Sequence, residues 1–170
     1  MELAAVLMDA ICLPGEREQD ALGALADALG VELGRVQSEL MFLRAYAADL
    51  AFATTLADES TRADMQNRLY QHWQRLEDDV GLGLGEDLRD HLALYGQAAG
   101  GQSKGPGSLR DAVGSAFARC CAGGDINADL AYLGGAMFAA FYDEVCRLIE
   151  AIDLVLPSGD DPGELNNGTR

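Results

Sequence analysis

Basic side chains are scarce. Of the 170 residues only 12 are Lys or Arg, against 28 Asp and Glu, which leaves a formal net charge of −16. Sequence-independent nucleic-acid binding needs Lys and Arg to displace phosphate counterions, and docking on an anionic membrane surface draws on the same charges. The composition argues against both. Strand formers are also few: Val, Ile and Thr together number 15, against 27 Ala and 25 Leu, a balance that favours helix. Long apolar runs are missing. The longest uncharged helical stretch, Leu130 to Tyr142, lies between Asp129 and Asp143 and falls short of the roughly 20 residues that cross a bilayer. Glu2 follows Met1 and Asp9 interrupts the first apolar segment, so no secretory signal is read and a cytoplasmic protein is expected.

Cysteine is limited to Cys12, Cys120, Cys121 and Cys146, with no CxxC and no metal-ligand rhythm. Adjacent residues on a helix point about 100° apart, so Cys120 and Cys121 do not grip one ion together. Four reduced thiols, mostly buried as small core side chains, are the expectation. A vicinal redox pair is the alternative.

What is present is helical periodicity, and a 49% apolar share is enough for a core. Leu3, Val6, Leu7 and Ile11 share a face over Glu2 to Cys12, and Leu13-Pro14-Gly15 ends that helix. Glu16 to Leu29 follows, closed by Gly30. Glu32 to Leu56 carries Leu33, Val36, Leu40, Leu43, Ala47, Leu50 and Thr54 at alternating spacings of three and four, the mark of a core helix. Thr61 with Asp64 resembles a capping pair for a helix reaching Val80, with Met65, Leu69, Trp73, Leu76 and Val80 inward. Glu86 to Ala99 is a fifth helix. A sixth is capped by Ser108 and reaches Cys121; a seventh runs from Ala128 to Leu156 behind Asn127, with Leu130, Leu133, Met137, Phe141, Val145, Leu148, Ile152 and Val155 on one face.

The expected fold is therefore all-α: a single-domain helical bundle of about seven helices, with a long, largely buried C-terminal helix as its central element. The domain spans 1–156, with a flexible Gly-rich loop at 100–107. Residues 157–170 form a disordered acidic tail that folding does not need. In the last helix Ala131, Gly135 and Ala139 make a ridge of small side chains against which a second helix is expected. That helix belongs to the same chain or to a second copy in a homodimer.

Motifs for chemistry are weak. Gly101-Gln102-Ser103-Lys104-Gly105 fits G-x-S-x-G, but a nucleophile elbow needs a preceding strand and here the flanks are helical. No dinucleotide fingerprint, phosphate loop or other cofactor signature is present, and no cofactor is expected. The acidic run Glu77-Asp78-Asp79 lacks calcium-loop spacing. The remaining candidates are His72, Asp87 and His91. Asp87 and His91 lie four apart on one helix face. If their helix packs antiparallel to the one before it, His72 comes within about 5 Å of the height of His91. Such a set suits a metal ion or acid–base chemistry. Its plain reading is a surface Asp87–His91 pair, with His72 beside Trp73 at the core edge. No Glu-x-x-His pair of the di-iron type supports a metal there.

The sequence thus points first to an acidic, non-catalytic helical module that binds a protein partner: a regulator, an adaptor or a chaperone-like peptide binder. Its charge suits a basic partner. The alternative is a small enzyme with a metal or acid–base site at His72, Asp87 and His91.

Overall fold

The computed structural model describes residues 7, 10–11, 16–80, 84–101, 106–124 and 126–153. Among them there is no strand. Six helices have defined bounds: α1 (Glu16–Leu29), α2 (Leu33–Thr55), α3 (Glu59–Val80), α4 (Leu84–Gly100), α5 (Pro106–Ala122) and α6 (Ala128–Asp153). The expected count of about seven is met in part. Of the first expected helix only Leu7, Ala10 and Ile11 are described; all three are helical, and Leu7 and Ile11 are buried in the core. Cys12, residues 102–105 of the Gly-rich segment and the whole 157–170 tail lie outside the described residues.

Local chemistry sets the helix ends. Gly30, at φ 65°, closes α1: the Gly30 N–H donates to the Asp27 carbonyl and the Val31 N–H to the Ala26 carbonyl, satisfying two terminal acceptors. At the start of α6 the Asn127 Oδ1 accepts from the N–H groups of Asp129 (2.9 Å) and Leu130 (3.1 Å), as expected of an N-cap. At α3 the cap differs from the expected Thr61–Asp64 pair. Asp58 Oδ2 accepts from both the N–H (2.7 Å) and the hydroxyl (2.6 Å) of Thr61, so the cap moves three residues back and the helix opens at Glu59. These bonds, the Thr61 hydroxyl first, hold the Asp58 carboxyl below its usual range. α5 likewise opens at Pro106, ahead of Ser108; proline suits a first turn, where its missing N–H costs nothing.

α2 is the hub, packing against each of the other five helices. Eleven of its 23 residues are buried, on more than one side: Leu40, Leu43 and Phe52 lie among Ala45, Ala47, Ala48 and Ala51, whose small side chains let neighbours approach. This corrects the expectation that the C-terminal helix is central and largely buried. α6 packs chiefly against α5 and α2, and its outer face is open, with Tyr132 73% and Leu148 37% exposed. Its buried face is also rotated from the expected one. Leu130, Phe141 and Val145 are inside as foreseen, but Phe138 and Ile149 are buried where Leu133, Met137 and Leu148 were expected.

The small residues explain the rotation. A Cβ on Gly134 would stand 2.5 Å from the Phe117 ring, one on Gly135 2.7 Å from the Arg110 carbonyl oxygen, and one on Gly114 would collide with the Ala131 carbonyl oxygen. The backbones of α5 and α6 therefore meet along the glycines, and α5 of the same chain occupies the Gly135 flank of the expected ridge. Trp73 is fully buried on α3 beside Phe42, with ring centroids 5.7 Å apart. No helix among the described residues is long and apolar enough to cross a membrane.

Candidate functional site

Three helices bring unlike side chains together near the hub. Glu39 sits on α2 three residues after Val36 and four before Leu43, in register with the buried face, and is only 7% exposed. His91 sits on α4 three residues after Leu88 and four before Tyr95, both buried. Cys120 lies in the last turns of α5 and is half-buried. One potential ligand atom from each of Glu39, His91 and Cys120 falls within 4.8 Å of the others.

The imidazole is fixed on both edges and on one face. His91 Nδ1 lies 2.6 Å from the Asp87 main-chain oxygen and donates to it. Nε2 lies 3.0 Å from Glu39 Oε1 and donates to the carboxylate. The ring stacks on Phe42, with centroids 4.1 Å apart and planes at 14°. The neighbouring Cys120 side chain and then Glu39 favour the charged ring over the desolvation that opposes it, and its pKa rises to about 10. Glu39 and His91 thus form a partly buried ion pair, which offsets much of the cost of burying either charge.

The pair leaves loose ends. Glu39 Oε2 and the Tyr95 hydroxyl are both buried without a hydrogen-bond partner. The Tyr95 hydroxyl lies close to the Glu39 carboxylate without a well-formed bond to it; burial first, with the Glu39 charge and side chain adding, raises its pKa well above the usual tyrosine value. Cys121 turns into the core, as the 100° step from Cys120 requires. Burial, with Glu39 adding, pushes its thiol to about 12. Cys146 lies apart on α6 and accepts from the Thr55 hydroxyl at 3.3 Å.

The residues singled out from the sequence separate. Asp87 is exposed and contributes its main-chain oxygen rather than its carboxylate. His72 is half-buried on α3, next to Trp73, and neither it nor the Asp87 carboxylate belongs to the converging group. Of the acidic run, Asp78 is exposed, and the side chains of Glu77 and Asp79 lie outside the description. Gly101 forms a turn after α4 and no strand precedes it. Sequence reasoning missed Glu39. The available signal was a carboxylate standing in the apolar register between Val36 and Leu43.

Comparison with protein-family models, with curated proteins and with solved structures finds no match.

Proposed function

We propose that the chain is a non-catalytic helical interaction module, a regulator, adaptor or peptide-holding chaperone of the cytoplasm, that recognises a basic protein partner. The observation that carries this reading is the surface at the start of α6. Tyr132 is 73% and Ile126 52% exposed, with exposed Asp129 between them in sequence. The Arg110 guanidinium stands 5.1 Å over the Tyr132 ring. Tyrosine and arginine are favoured anchors of protein interfaces, and a cation over the ring restrains it before binding. The net charge of −16 would steer a basic partner toward such a surface.

The enzyme alternative has less support, because both ring nitrogens of His91 already face acceptors. A histidine so held is not placed to take a proton from a substrate. The test compares the wild-type chain with an Ile126→Ser/Tyr132→Ala variant in affinity isolation at physiological salt. A basic protein retained by the first and lost by the second, at equal melting temperatures, supports the reading. Equal retention by both, or retention of acidic proteins only, sinks it.

A further inference from the structure

We propose that Glu39, His91 and Cys120 bind a divalent transition-metal ion of the zinc class, between α2, α4 and α5. This site is independent of the surface invoked above.

Geometry comes first. Zinc bonds of about 2.0–2.3 Å to nitrogen, oxygen and sulfur place tetrahedral ligand atoms roughly 3.3–3.8 Å apart. The three candidate atoms already lie within 4.8 Å of one another, so modest side-chain rotations, without helix movement, close the set. Its chemistry is selective. A thiolate, an imidazole and a carboxylate suit a borderline ion such as Zn²⁺ or Co²⁺, whereas Ca²⁺ and Mg²⁺ demand oxygen ligands. The His91 ring also has the support that ligating histidines use. Its Nδ1–H donates to the Asp87 carbonyl at 2.6 Å, which orients Nε2 toward Glu39 and is the usual outer-sphere arrangement.

A second observation points independently to a ligand. The Glu39 side chain is 9% exposed, yet its Oε2 has no partner, and the buried Tyr95 hydroxyl has none either. Buried oxygens left without partners are costly, and an ion pair to His91 through Oε1 alone does nothing for Oε2. A metal ion takes the place of the His91 proton as the electrostatic partner of the carboxylate and carries twice its charge. It also frees the group to turn Oε2 toward Tyr95, which lies four residues after His91 on the same side of α4. The charges balance: a dication meets one carboxylate and one thiolate, and the His91 and Cys120 protons leave to solvent.

Cobalt(II) is the probe, because its bond to a thiolate gives a charge-transfer absorption that exposed acids cannot produce. Metal-free protein titrated with Co²⁺ should develop this band to one equivalent and lose it on adding Zn²⁺. Cys120→Ser should abolish the band and His91→Gln should weaken Co²⁺ binding at least about 10-fold, while Cys146→Ser leaves both unchanged. Absence of the band at stoichiometric Co²⁺, or its survival in Cys120→Ser, overturns the site. A second measurement uses only the wild type and so remains decisive if the variants do not fold. One equivalent of Zn²⁺ should slow alkylation of Cys120 at least about 10-fold, with Cys146 unaffected, since the metal-bound thiolate is withheld from the reagent. Equal alkylation with and without Zn²⁺ also overturns the proposal.

Discussion

A buried carboxylate is tolerated when a cation meets it, and Glu39 meets one in His91 at 3.0 Å. Removing one member strands the other. In metal-free protein His91→Gln should cost about 3 kcal/mol, and Glu39→Gln/His91→Gln together should cost less than the sum of the two single changes. Denaturant unfolding of the four proteins measures this; strict additivity would show that the two side chains do not interact. The pairing was illegible in the sequence because 52 positions separate its members and no local spacing links them. Trp73 was legible, since its register with Leu69 alone places it inside, and Trp73→Ala should cost about 3–5 kcal/mol. Asp49 offers a test in pH. Burial raises its carboxyl above the usual range, only partly countered by the Gln66 amide at 2.9 Å. A folded-state pKa above the unfolded value means that the folded chain holds the proton more tightly. Stability is therefore lost as pH rises from about 3.8 through the raised value. Asp49→Asn should melt higher than wild type at pH 7, and the gap should close by about pH 3. A gap independent of pH would mean that the carboxylate is not disfavoured by burial.

Helices as elements were readable wherever apolar residues recur at three and four, and their ends were readable where one cap candidate stands alone. Asn127 is such a case, and Asn127→Ala should cost about 1 kcal/mol by removing the acceptor for two N–H groups. Thermal unfolding that leaves wild type and variant indistinguishable would show that water replaces the cap. At α3 two candidates stand close together, Asp58 and Thr61, and residue spacing alone favours the second. The structure uses both, Thr61 as donor and Asp58 as acceptor. The rotated face of α6 has a different origin. Counting large apolar side chains put Leu133, Met137 and Leu148 inward, yet where backbones touch along glycines the buried sector is centred on the residues with least side chain. Hydrophobic spacing underweights those positions because glycine contributes nothing to it.

At the scale of the whole molecule, composition carried the all-helical class, but which helix lies at the centre depends on packing between segments far apart in sequence. α2 holds that place with small alanines interleaved among its buried Leu40, Leu43 and Phe52, which let neighbours approach on more than one side. Packing also bears on assembly. The Gly135 flank of the ridge, read from the sequence as a contact for a helix of this chain or of a second copy, is covered by α5. Gly135→Leu must push aside the Arg110 carbonyl oxygen, 2.7 Å from the new Cβ, and backbone gives way less readily than a flexible side chain. The expected result is a loss of about 1–3 kcal/mol or more, with a light-scattering mass equal to that of wild type. Gly96 is the control: it lies in α4, is exposed, and has nothing within 4 Å of an added Cβ. Gly96→Ala should stabilise by about 0.4–1 kcal/mol through the unfolded chain alone. If Gly135→Leu instead halves the mass at unchanged melting temperature, that flank belongs to a contact between copies, and the close approach of α5 to α6 is not what holds the bundle together.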